Sequence, residues 1–208
     1  MGRLLVLLSL IVLGFLTYWF SGKEYQMVLS HLYDDYTKNN TATGLLLGSS
    51  TLAYIDEEYL PSCIIWRNRA VGNSQISHTQ SYLRFSPPRD DVEKVVLYVG
   101  ENDIANGMTS EDAFVSFSAL VSQLFEMNEA AEIYIILIKP SPVRNTFHES
   151  FNEFNGMVTR MAADEPALSV LDIVESTPAT RVFGADGIHL NARGYMKLHF
   201  ELTKVCND

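Results

Sequence analysis

Short apolar runs separated by stretches of helical periodicity constrain the fold of this chain most strongly. The apolar runs are Leu45–Leu47, Cys63–Trp66, Val95–Val99 and Ile133–Ile138. Runs this short, apolar at nearly every position, are typical of parallel strands buried on both faces. Helical spacing is clearest in two sets of apolar positions: Phe114, Phe117, Val121 and Leu124, then Leu190, Tyr195, Leu198 and Leu202. The alternation predicts a three-layer α/β/α domain with a parallel sheet, whose ligand site lies beyond the carboxyl ends of the strands.

The length of 208 residues fits one domain and a short N-terminal extension. We divide the chain into three parts. Residues 1–22 are a signal anchor or signal peptide, residues 23–43 a stalk or leading helix, and residues 44–208 the α/β domain.

The N-terminal segment Leu4–Phe20 carries no charged residue. As a helix its 17 residues would span about 25 Å, close to a hydrocarbon core of about 30 Å. The run ends in the aromatic residues Tyr18, Trp19 and Phe20 rather than in small residues suited to signal peptidase. We therefore favour an uncleaved transmembrane helix over a removed signal peptide, which would leave a secreted protein. Arg3 before the run predicts that the domain faces outward, in the periplasm or outside the cell.

The charge balance of the remaining chain excludes one class of partner. After residue 22 there are 25 acidic and 14 basic side chains. A surface of this sign repels phosphate backbones, so we expect no nucleic-acid partner.

The two cysteines, Cys63 and Cys206, form no metal-binding motif. Because Cys63 precedes apolar residues, we favour the interpretation that it is a buried free thiol. A disulfide between the two cysteines in an oxidising compartment is the alternative.

Four polar clusters follow the predicted strands or precede the last helix. They are Gly48–Ser50, Asn68–Asn73, Gly100–Asp103 and Asp186–His189. A serine nucleophile needs a base to accept its proton and a carboxylate to orient that base. Ser50, His189 and Asp186 supply these groups, and the three-residue spacing lets the carboxylate reach one imidazole nitrogen.

Acyl transfer also needs donors for the oxyanion that forms on the carbonyl oxygen. The candidates are the backbone N–H groups of Ser50 and Gly72 and the side-chain amide of Asn102. The remaining histidines lack a comparable setting, and we expect surface or packing roles for them: His31, His78, His148 and His199.

In this order the four clusters resemble the sequence blocks of the SGNH or GDSL-like hydrolases, which carry Ser, Gly, Asn and His. The resemblance extends from about Gly44 to the C-terminus. Longer stretches, Tyr98–Gly107, Ile138–Arg144 and Asp186–Tyr195, look like a subgroup with these signatures.

The resemblance implies a flavodoxin-like fold and hydrolysis of acyl esters without metal or cofactor. It implies that Ser50 attacks, that His189 acts as base and then as acid, and that Asp186 orients His189. It also implies an oxyanion hole formed by Ser50, Gly72 and Asn102. The substrate would be a small-molecule, glycan or lipid acyl ester.

Two positions depart from the family pattern. Ser49 stands where an aspartate is often found, and Ala70 where glycine is usual. Neither residue belongs to the expected triad or oxyanion hole, so we expect altered support around Ser50 rather than lost chemistry. Lys139 and Arg144 flank prolines after a predicted strand, where they would brace a loop or bind an anionic part of the substrate.

Two alternative functions keep the same fold. A membrane-anchored acyltransferase would pass the acyl group to a surface polysaccharide, and a degenerate domain would bind glycans or proteins without catalysis. An α/β-hydrolase is disfavoured because no G-x-S-x-G motif occurs, and no H-E-x-x-H metallohydrolase motif occurs either.

Overall fold

A computed structural model of the chain describes residues 22–38, 41–87, 89, 91–173 and 181–206. The strands are β1 Gly44–Gly48, β2 Trp66–Asn68, β3 Lys94–Tyr98, β4 Glu132–Ile136 and β5 Leu168–Leu171. The helices are α1 Lys23–Thr37, α2 Ser50–Ala53, α3 Ile76–Phe85, α4 Glu101–Ala105, α5 Ser110–Met127, α6 His148–Asp164 and α7 Ala192–Leu202. Short 3₁₀ segments span Glu57–Tyr59, Pro142–Phe147 and Thr203–Cys206.

The predicted membrane segment Leu4–Phe20 lies outside the described residues. Among the residues that are described, no helix is both long and apolar enough to cross a bilayer.

The five strands form one parallel sheet in the order β2-β1-β3-β4-β5. This is the order of flavodoxin-like doubly wound sheets. The prediction of a parallel α/β domain is therefore confirmed. The second strand begins later than its apolar run indicated, at Trp66 rather than Cys63, and β5 corresponds to none of the predicted apolar runs.

Alternating side chains of the strands pack into two cores on opposite faces of the sheet. Leu45 and Leu47 of β1 belong to the core beneath α1, α3, α5 and α6, whereas Leu46 belongs to the core beneath α2 and α7. Apolar residues are thus needed at successive positions of a strand covered on both faces, which explains the continuous apolar runs.

Helix α1 is packed onto the domain through its buried residues Val28 and Leu32. Near its end, the Asp35 side chain is fully buried and accepts hydrogen bonds from Arg69 Nη2 at 2.7 Å and from the Tyr82 hydroxyl at 2.7 Å. Burial alone would raise the pKa of Asp35, but the hydrogen bonds from Arg69 and Tyr82 keep this pKa below its ordinary value. An apolar contact and a buried ion pair therefore hold α1 in place.

Cys63 and Cys206 form a disulfide, with their Cα atoms 6.1 Å apart. The expectation of a buried free thiol was therefore wrong. Both residues lie at the exposed surface, and the chain path brings the loop before β2 next to the C-terminal 3₁₀ segment, 143 residues away in sequence. The bond ties the end of the chain to the edge of the sheet.

Candidate active site

Ser50 is the first residue of α2, immediately beyond the carboxyl end of β1. The turn depends on Gly48, whose φ of 115° is left-handed and whose position leaves no room for a Cβ, since one would lie 2.0 Å from the Tyr98 carbonyl oxygen. The N–H of Ser49 donates to that oxygen at 2.8 Å. The turn makes Ser50 the first residue of α2, where a backbone N–H has no intrahelical acceptor.

The Gly72 loop lies directly beside this turn. Its preceding residue, Val71, donates its N–H to the Gly48 carbonyl at 2.8 Å. A Cβ at Gly72 would lie 2.3 Å from the hydroxyl oxygen of Tyr54, a residue one helical turn after Ser50. A side chain at position 72 would therefore displace the Tyr54 ring, whereas the backbone angle of Gly72 is one that any residue adopts.

Asn102 is held in a fixed orientation by two hydrogen bonds. Its Nδ2 donates to the Ser74 carbonyl at 2.9 Å, and its Oδ1 accepts from Arg144 Nη2 at 3.0 Å. Because a guanidinium can only donate, Arg144 fixes which end of the amide carries the N–H groups. The second Nδ2–H is left for an acceptor outside these contacts.

Asp186 and His189 form a hydrogen-bonded pair before α7. His189 Nδ1 lies 2.6 Å from Asp186 Oδ2, while Asp186 Oδ1 accepts from the N–H groups of Ile188 at 2.9 Å and His189 at 3.0 Å. These backbone N–H groups, Ile188 first, together with the imidazole hold the pKa of Asp186 well below its ordinary value. The ionised carboxylate can only accept, so Nδ1 carries the proton and Nε2 is left as the basic nitrogen.

Behind the Asn102 site lies a buried cluster centred on Glu101. The Glu101 carboxylate accepts from Lys139 Nζ at 2.6 Å, from Ser141 Oγ at 2.8 Å and from the Tyr98 hydroxyl, and it pairs with Arg144 Nη1 at 3.1 Å. Burial alone would raise the pKa of Glu101, but the charge of Lys139 lowers it below the ordinary value. Lys139 thus braces the Glu101 carboxylate, whereas Arg144 links Glu101 to Asn102.

The structure brings the four predicted blocks together at the edge formed by the carboxyl ends of the strands, which we call the carboxyl edge. A hydrogen bond from the Val71 N–H to the Gly48 carbonyl joins the first two blocks, and Ser74 links them to the third, since its hydroxyl donates to the Gly48 carbonyl and its own carbonyl accepts from Asn102. The last block is connected through Tyr54, whose ring lies edge-on to His189 at a centroid distance of 5.3 Å. Within the described part of the chain, His189 contacts the helix of Ser50 through this ring and makes no hydrogen bond to Ser50 itself. Contacts between catalytic groups commonly tighten only when substrate binds.

The backbone N–H groups of Ser50 and Gly72 have no backbone carbonyl acceptor among the described residues. With the free Nδ2–H of Asn102, they supply three donors at the carboxyl edge. Such donors could stabilise a negatively charged oxygen.

Two features near Ser50 were not identified from sequence. Tyr54 was missed, although its spacing of four residues from Ser50 places both on one face of a helix. The hydroxyl of Ser49, at the position where the family often has aspartate, is buried without a hydrogen-bond partner among the described residues.

Three of the other histidines make local contacts, whereas His31 lies beside the second block, where it interacts with the backbone of Ala70 and the charge of Arg69. His78 Nδ1 accepts from the Gln75 N–H at 3.0 Å, and the rings of His148 and His199 contact the carbonyl oxygens of Ser141 and Tyr59. Among the residues that the structure describes, no group of three or more His, Cys, Asp or Glu side chains is arranged to hold a metal ion.

Sequence comparison relates the chain to one family. The family model for the GDSL-like Lipase/Acylhydrolase family matches residues 48–197, more than half of the chain. The match begins just before Ser50 and ends within α7, so it contains all four blocks. Among curated proteins, nothing matches the chain significantly.

Three solved structures with the same fold carry different functional descriptions. A Streptococcus pneumonia protein provisionally described as a platelet activating factor has a TM-score of 0.76 and 17% identity, covering 94% of this chain and 98% of that one. A GDSL-like lipase from Bacteroides thetaiotaomicron VPI-5482 has a TM-score of 0.68 and 12% identity, covering 86% and 97%. A family 3 carbohydrate esterase from Clostridium thermocellum has a TM-score of 0.63 and 14% identity, covering 79% and 94%. At such identities the likeness establishes the fold alone.

Proposed function

The chain belongs to the GDSL-like lipase/acylhydrolase family, and from this premise we propose that it is a serine esterase that cleaves carboxylic acyl esters through a covalent acyl-enzyme. The observation that carries the proposal is the Asp186–His189 pair. Its 2.6 Å hydrogen bond occupies Nδ1 and leaves Nε2 as a base at the carboxyl edge, where Ser50 begins α2.

In the proposed reaction, His189 Nε2 removes the Ser50 proton while Oγ attacks the carbonyl carbon of the ester. The carbonyl oxygen gains negative charge and accepts hydrogen bonds from the N–H groups of Ser50 and Gly72 and from Asn102 Nδ2. The ester C–O bond then breaks, and His189 gives the proton to the departing alcohol. A water molecule, deprotonated by His189, then attacks the acyl-serine carbonyl carbon. The bond from that carbon to Ser50 Oγ breaks, His189 returns the proton to Oγ, and the carboxylic acid is released.

Neighbouring serines provide a matched test of the nucleophile. Ser50→Ala should abolish covalent labelling by a fluorophosphonate probe and lower kcat for a short p-nitrophenyl ester by at least about 10³-fold. Ser49→Ala removes an equally buried hydroxyl one residue away and should still be labelled. Labelling that persists in Ser50→Ala would disprove the assignment of the nucleophile.

The proposed substrate class is an acyl ester whose acyl chain and alcohol are not specified. Two of the similar structures are described as a lipase and a carbohydrate esterase. The substrates that these two names imply have only an ester bond in common. The site is open on the side of the Asp186–His189 pair, whose side chains are 49% and 38% exposed. Assays should therefore include sugar acetates and longer acyl esters, and they should measure free acid separately from acyl groups passed to an added sugar acceptor.

We further propose that Leu4–Phe20 anchors the protein with its domain on the outer side of a membrane. The disulfide between Cys63 and Cys206 supports this placement, because such bonds persist in oxidising compartments. Protease added to spheroplasts, from which any outer membrane has been removed, should digest the domain, and carbonate washing should leave the full-length chain in the membrane fraction. Protection of the domain in spheroplasts, with digestion only after lysis, would contradict the outward orientation.

A further inference from the structure

We propose that the carboxyl edge of the domain, which carries the candidate active site, docks on the surface of the bilayer and takes its acyl ester from the membrane interface. This inference rests on the ester hydrolysis and the membrane anchoring proposed above.

The first turn of α1 lies at the carboxyl edge. Glu24 Oε1 accepts a hydrogen bond from Asn73 Nδ2 at 2.8 Å, and Asn73 directly follows the oxyanion candidate Gly72. Tyr25 packs on His78, with ring centroids 4.5 Å apart, in the first turn of α3. Two contacts thus fix the start of α1 beside the active-site residues.

Only Ser21 and Gly22 separate the apolar segment from the start of α1. Three residue steps, from Phe20 to Lys23, can span at most roughly 11 Å even when fully extended. With Leu4–Phe20 anchored as proposed above, the chain would leave the membrane within about this distance of the carboxyl edge. An anchor attached at the opposite edge would instead have held the active site a whole domain away from the lipid.

Exposed apolar side chains border the candidate site. Tyr54, which packs on His189, is 55% exposed, and Val143 is 63% exposed. Val143 lies against the Asp186–His189 loop, with its Cγ2 atom 2.7 Å from the position that a Gly187 Cβ would occupy. Aromatic and aliphatic side chains of this kind are stabilised at the boundary between headgroups and acyl chains.

The charge of the domain determines which bilayer fits. Residues 23–208 carry 25 acidic and 14 basic side chains, and Asp56, Glu57 and Glu58 are exposed shortly after Tyr54. A strongly anionic bilayer would repel this surface. A zwitterionic bilayer allows the apolar rim to insert without that repulsion, so phosphatidylcholine vesicles are the appropriate probe.

Fluorescence quenching in these vesicles tests the docking independently of catalysis. The full chain would be reconstituted with an environment-sensitive dye on Val143→Cys, and separately on Ala130→Cys, an exposed position just before β4 at the opposite edge of the sheet. The native cysteines are paired and should not react. We expect lipid-borne nitroxide to quench the dye at 143 several-fold more strongly than the dye at 130. Equal quenching at the two positions, or stronger quenching at 130, would overturn the proposal.

A spacer variant tests the consequence for substrate access. A rigid helical insertion between Gly22 and Lys23 should lower turnover of a long-chain ester dissolved in the bilayer by about tenfold or more, and it should leave turnover of a short water-soluble ester unchanged. Unchanged turnover of both esters would contradict the docking. If the native chain hydrolysed neither ester, the proposed esterase function would fail, while the quenching comparison would still decide whether the edge docks.

Discussion

Arg144 Nη2 donates a hydrogen bond to Asn102 Oδ1 at 3.0 Å, while Nη1 of the same guanidinium lies 3.1 Å from Glu101 Oε1. Glu101 is only 2% exposed and is anchored in turn by Lys139 at 2.6 Å. A chain of charged groups thus runs from the interior of the domain to the amide that we assign to the oxyanion hole. This arrangement makes Arg144 a positioning residue for Asn102.

Replacing Arg144 by alanine should lower kcat for a short ester by about tenfold or more, with KM changed by less than about threefold. The physical reason is that the Asn102 amide would lose its fixed orientation, whereas removal of an oxyanion donor itself costs about 10²–10³-fold in kcat. Steady-state kinetics of the single variants, with thermal unfolding to verify folding, would measure both effects.

The control for this prediction is a double-mutant cycle. If Arg144 acts through Asn102, then Arg144→Ala should cause less than about a twofold further loss when Asn102 is already alanine. Multiplicative losses in the double variant, or a rise in KM as the main effect, would indicate that Arg144 contacts the substrate directly.

Neighbouring aspartates of α1 should differ sharply in their effect on stability. Asp35→Ala would remove a fully buried carboxylate and leave Arg67 and Arg69 without their partner, which should cost about 3–5 kcal/mol of the free energy of unfolding. Asp34→Ala removes only a surface pair with Lys38 and should leave the denaturation midpoint unchanged. Equal midpoints for both variants in urea would mean that α1 is not held by the buried ion pair.

Because of Asp103, the free energy of unfolding should decrease as the pH rises from about 4 to about 6. Its carboxylate accepts from the Ile76 N–H at 3.1 Å, but burial still raises the pKa of Asp103 to about 6. Between about pH 4 and pH 6 the folded chain therefore keeps a proton that the unfolded chain releases, which costs up to about 3 kcal/mol by neutral pH.

The measurement is a difference between two proteins. The free energy of unfolding of the native chain minus that of Asp103→Asn should decrease from about pH 4 to about pH 7, because the amide does not titrate. Glu101 and Asp35, whose pKa values are lowered, titrate in both proteins and cancel in the difference. A difference that is flat or increases with pH would show that Asp103 is not protonated in the folded state.

The sequence predicted the strands that are covered on both faces and was less successful at the edges of the sheet. Both β1 and β3 lie where their apolar runs indicated, since each is buried at almost every position. At one edge, β2 begins at Trp66 and includes the polar Arg67, whose role depends on the buried Asp35 of α1. At the other edge, β5 is four residues long and partly exposed, so it lacks a continuous apolar run.

The candidate site was predictable where chemistry dictates the residue type and spacing. Asp186 and His189 are three residues apart and contact each other directly, as their spacing indicated. The links between Arg144 and Asn102, and between Glu101 and Lys139, join residues about forty positions apart, and only the fold brings them together. For the same reason, sequence alone could not decide whether Cys63 pairs with Cys206.

Loss of the disulfide should weaken the fold without altering the chemistry. The bond between Cys63 and Cys206 is exposed and closes a loop of 143 residues, so reduction should lower the free energy of unfolding by about 2–4 kcal/mol through the greater freedom of the unfolded chain. Among the described residues, no hydrogen bond or ion pair links either cysteine to the four blocks of the site. The kcat for a soluble ester at low temperature should therefore stay the same. Guanidinium unfolding with and without dithiothreitol measures the effect. The double variant Cys63→Ala/Cys206→Ala should have the unfolding midpoint of the reduced native chain, and dithiothreitol should not change that midpoint. A native chain whose unfolding midpoint is insensitive to dithiothreitol, or a double variant that still responds to it, would contradict the stabilising role of this bond.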